Sequence, residues 1–234
     1  MRLNKYLAHC GLCSRRKAAE LIKSGKVYVN DKIVDHPAYE VKKDDVVKYK
    51  DKILKPEKNR VYILMNKPKN IITSLKDEKG RKTVIDLIKN KIQERVFPVG
   101  RLDYKTTGLL LLTNDGDLAK KLSHPRYKVP KVYEVTLNKS ITKQDFEQIK
   151  KGVKLEDGEV KVDWIKIVDD KGLVLNLEIH IGKNRIVRRI FEHFGYEVKK
   201  LDRIYYAGLT KKGLKRGWFR PLTEKEIIML KHFT

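Results

Sequence analysis

Residues 99–115 read VGRLDYKTTGLLLLTND. One carboxylate, Asp103, follows Gly100-Arg101-Leu102, and Gly108 then opens a run of four leucines. A glycine ahead of the acid permits a tight turn. Gly108 permits close approach of a ligand or of another backbone. A short continuous apolar run is the pattern of a strand covered on both faces. Asp103 is thereby placed at a strand-to-strand corner over an apolar floor. Two uses fit that position: an aspartate capping its own turn, and an acid acting on something drawn out of water.

Working outward, "VYILMN" (61–66) is an apolar strand stopped at Lys67-Pro68, and "RVFPVG" (95–100) leads into the Asp103 turn. "TVIDLIKN" (83–90) predicts a short helix capped by Thr83. Beyond the leucines, "NDG" turns the chain into a helix, "DLAKKLSH" (117–124), and "KVYEVTLN" (131–138) is a strand. A helix follows between Thr142 and Gly152, then a long hairpin over 158–182 turning at 169–172. "NRIVRRIFEHFG" (184–195) is a helix ended by Gly195, and 197–210 returns as a strand. The last helix, 222–233, opens on a capping box of Thr223 and Glu226.

The first fifty residues have another character. Leu3, Tyr6, Leu7 and Cys10 fall at helical spacing, Gly11 ends that helix, and Ser14 is an N-cap for a second one running to Gly25. "KVYVNDKIV" alternates as a hairpin turning at Asn30-Asp31, and "DDVVKYK" is a short strand. The expected organisation is a small module of two helices plus a hairpin at 1–50, a charged linker at 51–60, and a larger domain at 61–234. Frequent hairpins give an α+β class with a mostly antiparallel mixed sheet flanked by helices.

The 234 residues carry 54 Lys and Arg against 30 Asp and Glu, a net charge of +24. Such an excess repels itself and calls for a polyanion. Residues 1–50 hold 12 basic and 6 acidic residues and the remainder 42 and 24, so the excess is no tail. Nucleic acid fits best, because each cation placed on a phosphate releases counterions. A membrane surface would want an amphipathic helix with a large apolar face, and none stands out. A lysine-rich solvated surface of the kind thermophiles carry is the plain alternative. No apolar run approaches the ~18 residues of a membrane span, and no apolar stretch marks a secretory signal, which sets a cytoplasmic expectation. Cys10 and Cys13 lack the second Cys/His pair of a zinc site, and small side chains at a helix corner are the expected role.

Residues 182–191, "GKNRIVRRIF", supply the guanidinium groups. As a helix they give one apolar face from Ile186, Val187, Ile190 and Phe191, with Arg185, Arg188 and Glu192 opposite. Guanidinium forks suit carboxylates and phosphates, and one held against Asp103 would keep that acid ionised despite burial.

Taken together, VGRLDYKTTGLLLLTNDG, GKNRIVRRIFEHFGYEV and KLDRIYYAGL closely resemble the motifs of the RsuA/RluB branch of RNA pseudouridine synthases. RLNKYLAHCGLCSRRKAAELIKSGKVYVNDKIV resembles the S4 RNA-binding module that precedes the catalytic domain in that branch. The resemblance spans nearly the whole chain, and YILMNKPKNIITSLKDEKGRKTV is more similar to the large-subunit enzyme than to the small-subunit one. It implies isomerisation of uridine to pseudouridine in ribosomal RNA, 23S in preference to 16S, by base flipping. It implies Asp103 as the catalytic aspartate, Tyr133 as the ring stacking on the base, and Arg188 as the basic residue paired with the aspartate. Leu201 matches an apolar residue near the base, and Arg101 the arginine that fills the gap the nucleotide leaves. Arg185 and Arg189 belong to the same basic motif. Arg2, Lys5, Arg15, Arg16 and Lys17 crowd the two N-terminal helices as RNA contacts. Lys183, Ile186 and Ile190 depart from the family's usual arginine, glutamine and methionine, and Thr107 from its serine.

The reaction neither adds nor removes atoms and involves no redox change, so no cofactor or metal is expected. A hydrolytic glycosidase would show two carboxylates in partner roles, and one acid with an arginine fits isomerisation better. The expected partner is ribosomal RNA, with the protein a monomer. The alternative is an RNA-binding ribosome assembly factor without catalysis.

Overall fold

The computed structural model describes residues 1–232, so Phe233 and Thr234, the end of the expected last helix, lie outside the described residues. The chain divides after Arg60 into two compact units.

In the first unit, α1 (Leu3–His9) and α2 (Arg15–Lys23) lie over a sheet of β1 (Val27–Val29), β2 (Lys32–Ile33), β3 (Val47–Tyr49) and β4 (Lys52–Ile53), in the order β2-β1-β3-β4. Leu3 and Leu7 from α1 and Ala18 and Ile22 from α2 are spaced a turn apart, and they bury against Val27, Val29, Val41 and Val47. Ser14 Oγ accepts the Lys17 N–H at 3.2 Å and starts α2 as the sequence predicts. Asn30 and Asp31 both take positive φ, the conformation of a two-residue hairpin turn. Of the residues expected to link the units, Lys52–Ile53 form β4 and Leu54 packs on this core. Cys10 and Cys13 form no disulfide and are half-buried, and burial pushes the Cys10 thiol up to about 12, so it is held as an inert thiol.

The second unit contributes β5 (Tyr62–Lys67), β6 (Phe97–Pro98), β7 (Thr107–Thr113), β8 (Lys131–Leu137), β9 (Val153–Leu155), β10 (Gly158–Val160), β11 (Trp164–Ile167), β12 (Val174–Ile179), β13 (Val198–Tyr206), β14 (Leu209–Thr210) and β15 (Phe219–Pro221). Its helices are α3 (Gly116–Ser123), α4 (Lys143–Lys151), α5 (Ile186–His193) and α6 (Glu224–His232). One mixed sheet runs β11-β12-β8-β13-β7-β5-β15, with β14 on β13 and β6 on β7, while β9 and β10 form a separate hairpin. Among the described residues every pairing between these strands is antiparallel except β13 with β7. No helix among the described residues is long and apolar enough to cross a membrane.

The leucine run explains the two-sided core. Successive side chains on a strand point to opposite faces. Leu110 and Leu112 enter a core with Ile63, Met65, Val187 and Phe191, and Leu109 and Leu111 enter a second with Leu64, Leu118, Leu122 and Leu230. Each buried leucine is worth about 1.5–3 kcal/mol, which sets β7 as the centre of the unit. Gly108 is required for a different reason: a Cβ there would collide with the backbone N and O of Arg203, its parallel partner on β13.

Residues 83–90 correct the sequence expectation. They form a succession of turns, not a helix. Val84 N–H donates to Ile72 O at 2.9 Å, so the backbone here is drawn into a bridge with residue 72. Thr83 still acts as a cap, since its Oγ1 accepts from Asp86 N–H and Asp86 Oδ2 accepts from Thr83 N–H at 2.9 Å.

Candidate active site

Asp103 stands on the tight turn between β6 and β7. Gly100 ahead of it has φ +72°, a conformation that favours glycine. Thr106 N–H closes the turn on Asp103 O at 3.0 Å. Behind the turn lies Lys67 at the end of β5, fully buried, with its ammonium donating to the carbonyls of Pro68 (3.1 Å), Asp103 (3.2 Å) and Thr106 (2.9 Å). Burial pulls Lys67 down to about 8, partly offset by the Asp103 charge. The sequence treats Lys67 only as the stop of a strand. In three dimensions it pins the loop that carries the acid.

The Asp103 carboxylate is half-buried and accepts no hydrogen bond from any described residue. It lines a cleft of about 550 Å³ together with Tyr133, Leu201, Arg101 and Arg185. Tyr133 on β8 and Leu201 on β13 come from adjacent strands, in which Tyr133 pairs with Arg203 and Leu201 with Val135. Arg185 is held as the left-handed residue before α5, exposed, and paired with Glu192 at 3.0 Å.

One arginine of the basic motif lies elsewhere than the helical period places it. Arg188 is buried and does not share the solvent face with Glu192: its stem runs inward and Nη1 donates to Val198 O at 2.7 Å. Its ordinary value is lowered first by burial, then by Arg185, and the Asp103 charge acts in the opposite sense. Arg188 therefore sits behind the cleft wall within electrostatic reach of Asp103, with no contact ion pair between the two. Arg189 is engaged in a two-pronged ion pair with Asp157, at 2.6 and 3.1 Å.

Three further cleft residues escape the sequence reading. Arg203 is 2% exposed, donates Nε–H to Leu109 O at 2.7 Å and lies over the Tyr206 ring at 4.5 Å. Lys131 donates to Val129 O and His180 O at 2.9 and 3.0 Å. Tyr206 lines the same cleft, its hydroxyl raised to about 12 by burial. The signal available was the alternation of "KLDR", which puts Arg203 on the same strand face as Leu201. In the first unit, Arg2, Arg15, Arg16 and Lys17 are exposed and Lys5 is half-buried, while Lys17 pairs with Glu20 at 2.7 Å. Among the described residues no three His, Cys, Asp or Glu gather as metal ligands do.

A lone acid with no hydrogen-bond donor among the described residues, an aromatic ring and several cations line one cleft, an arrangement with the chemistry to hold a nucleotide against a carboxylate. The comparisons give that class its family. Residues 61–193 match the RNA pseudouridylate synthase family, and residues 1–47 match the S4 domain. The chain is 44% identical to ribosomal large subunit pseudouridine synthase B of Bacillus subtilis (strain 168), over 98% of this chain and 95% of that one. It is 37% identical to the dual-specificity RNA pseudouridine synthase RluF of Escherichia coli (strain K12), over 98% of this chain and 78% of that one. A solved pseudouridylate synthase crystal structure superposes with a TM-score of 0.71 at 28% identity, over 98% of this chain and 99% of that one. The chain belongs to the RNA pseudouridylate synthase family, an isomerase class, and carries an S4 domain at its N-terminal end.

Proposed function

We propose that this enzyme converts one uridine of large-subunit (23S) ribosomal RNA to pseudouridine, with Asp103 as the reacting acid, and acts as a monomer in the cytoplasm. The observation that carries the assignment of the acid is its unused carboxylate on the wall of the cleft that Tyr133 also lines. The relative of highest identity named above, a ribosomal large subunit enzyme, supports the substrate.

The uridine leaves its helix at a cost of a few kcal/mol, and stacking on Tyr133 recovers about 1–3 kcal/mol. Leu201 closes the apolar side of the base. Arg101 sits two residues from the acid, placed to fill the vacated stack. Arg188 and Lys67 supply positive potential from behind the wall and favour the ionised carboxylate. Asp103 then acts at the sugar, as nucleophile on C1′ or as base on the C2′ proton. Arg185 faces incoming RNA, and Arg189 orders the 157 loop through its ion pair. The first unit, with Arg2, Lys5, Arg15, Arg16 and Lys17, grips phosphates and adds affinity without base reading.

Tritium release from C5-labelled uridine in ribosomal RNA tests the reading. Release by the wild type and none by Asp103→Asn is the expected result. Tight RNA binding without release by the wild type would favour the assembly-factor alternative, and release from 16S alone would overturn the substrate.

A further inference from the structure

The cleft contains two cations for which the account above has no use. Arg203 and Lys131 both line it, and neither forms an ion pair with a described carboxylate. Arg203 is 2% exposed, its Nε–H donates to Leu109 O, and its Nη2 is buried with no hydrogen-bond partner among the described residues. Lys131 has three protons and two acceptors, the carbonyls of Val129 and His180. Burial and the Arg203 charge together lower Lys131 to about 8, with Asp163 opposing them from a distance while hydrogen-bonded to His180. Two like charges at the base of an apolar cleft are costly unless an anion arrives.

Resting on the site proposed above, we propose that Arg203, assisted by Lys131, is a catalytic residue that stabilises the uracil anion formed when the glycosidic bond breaks. Arg203 is the cross-strand partner of Tyr133 and lies two residues beyond Leu201, so it belongs to the same patch of sheet that receives the base. A base stacked on Tyr133 presents its carbonyl edge to that patch. A phosphodiester is the other anion to weigh. It is strongly hydrated, and an arginine this deep would have to strip it of water.

The electron count supports the base. When N1–C1′ breaks, its electron pair departs with the uracil and spreads over N1, O2 and O4. C1′ is compensated by Asp103, or by the C2′–H electrons if Asp103 removes that proton. The ring turns and C5 donates a pair to C1′, forming the carbon–carbon bond. The Asp103 bond breaks or the C2′ proton returns, the C5 proton goes to water, and N1 takes up a proton. Neutral uridine gives the two cations little, and the anion gives them a full charge. Such an interaction is stronger at the transition state than in the ground state, which is what lowers a barrier.

The test is single-turnover formation of the C5–C1′ bond in 23S transcripts made with uridine or with 5-fluorouridine, whose ring carries negative charge more readily and whose C-linked product, having no C5 proton to lose, keeps its fluorine and takes up water across C6 and N1. RNA affinity is measured alongside by filter binding. On uridine, Arg203→Gln should slow the saturated rate about 100-fold or more with Kd within about twofold. On 5-fluorouridine the loss should be at least about tenfold smaller. Arg203→Lys should recover part of the rate. Weaker binding with an unchanged saturated rate would overturn the proposal in favour of a phosphate contact. Equal slowing on both substrates would overturn it in favour of a packing role. If Arg203→Gln does not fold, Lys131→Met read on the same two substrates decides it by the same criteria. A wild type that forms no product would instead overturn the function proposed above, which separates the two failures.

Discussion

Asp103, on the turn that leads into β7, and Asp202, on the strand paired with it, have opposite fates. Asp202 on β13 is saturated: it accepts from Thr107 at 2.7 Å and Arg216 at 2.8 Å and pairs with Lys211. Against the penalty of its burial, those donors hold its carboxyl at about 2. Asp103, a few residues from Thr107 in the chain, accepts from no described residue. An acid surrounded by its own donors is part of the scaffold. An acid whose neighbouring cations are committed elsewhere is available for chemistry. Local sequence does not separate the two, since each follows a leucine and precedes a bulky residue. The difference arises from what the sheet brings to each.

That contrast can be broken first at the acids themselves. Asp103→Asn should abolish turnover, by about 10⁴-fold or more, while urea unfolding stays within ~0.5 kcal/mol of the wild type. Asp202→Asn should do the reverse. It weakens the hold on Arg216 and Lys211, both of which still reach water, and should cost about 1–3 kcal/mol of stability, with turnover per folded molecule retained at low temperature.

Lys67→Met tests whether the free acid depends on its buried support. Three carbonyls lose their donor, and the expected stability loss is about 2–3 kcal/mol, with a lower saturated rate and little change in RNA Kd. Acid titration sharpens the comparison further. The Asp202 value is depressed in the folded state, so its contribution is present above the unfolded carboxyl value near 4 and is lost as pH falls toward about 2. Urea midpoints measured between pH 5 and pH 2 should show that slope, and Asp202→Asn should flatten it. The smallest effect lies in the first unit: Arg15→Glu with Arg16→Glu should weaken RNA binding and reduce its salt dependence, with the fold intact by circular dichroism.

Much of this was legible in the sequence because it is local. The leucine run, the Asn30-Asp31 turn and the caps at Ser14, Thr142 and Thr223 depend on neighbours within a few residues, and Asp103, Tyr133 and Leu201 do meet in one cleft. What was hidden depends on distant partners. Residues 83–90 have a helix-like period, but the bridge at Ile72 claims their backbone. Arg188 falls on the polar side of a helical projection, yet the Val198 carbonyl draws it inward. Lys67 and Arg203 are buried cations whose acceptors lie 36 and 94 residues away along the chain, at Asp103 O and Leu109 O. No pattern within one window announces such a contact.

The parallel seam between β7 and β13 has a consequence in time. Its contacts, such as Thr107 to Asp202, span 95 positions of chain. Closures of that length are entropically slow, and until this one is made Leu201 and Arg203 are absent from beside Asp103. A nascent or refolding chain would therefore acquire its leucine strand well before it acquires any capacity to rearrange a nucleoside, and recovery of catalysis should lag recovery of secondary structure.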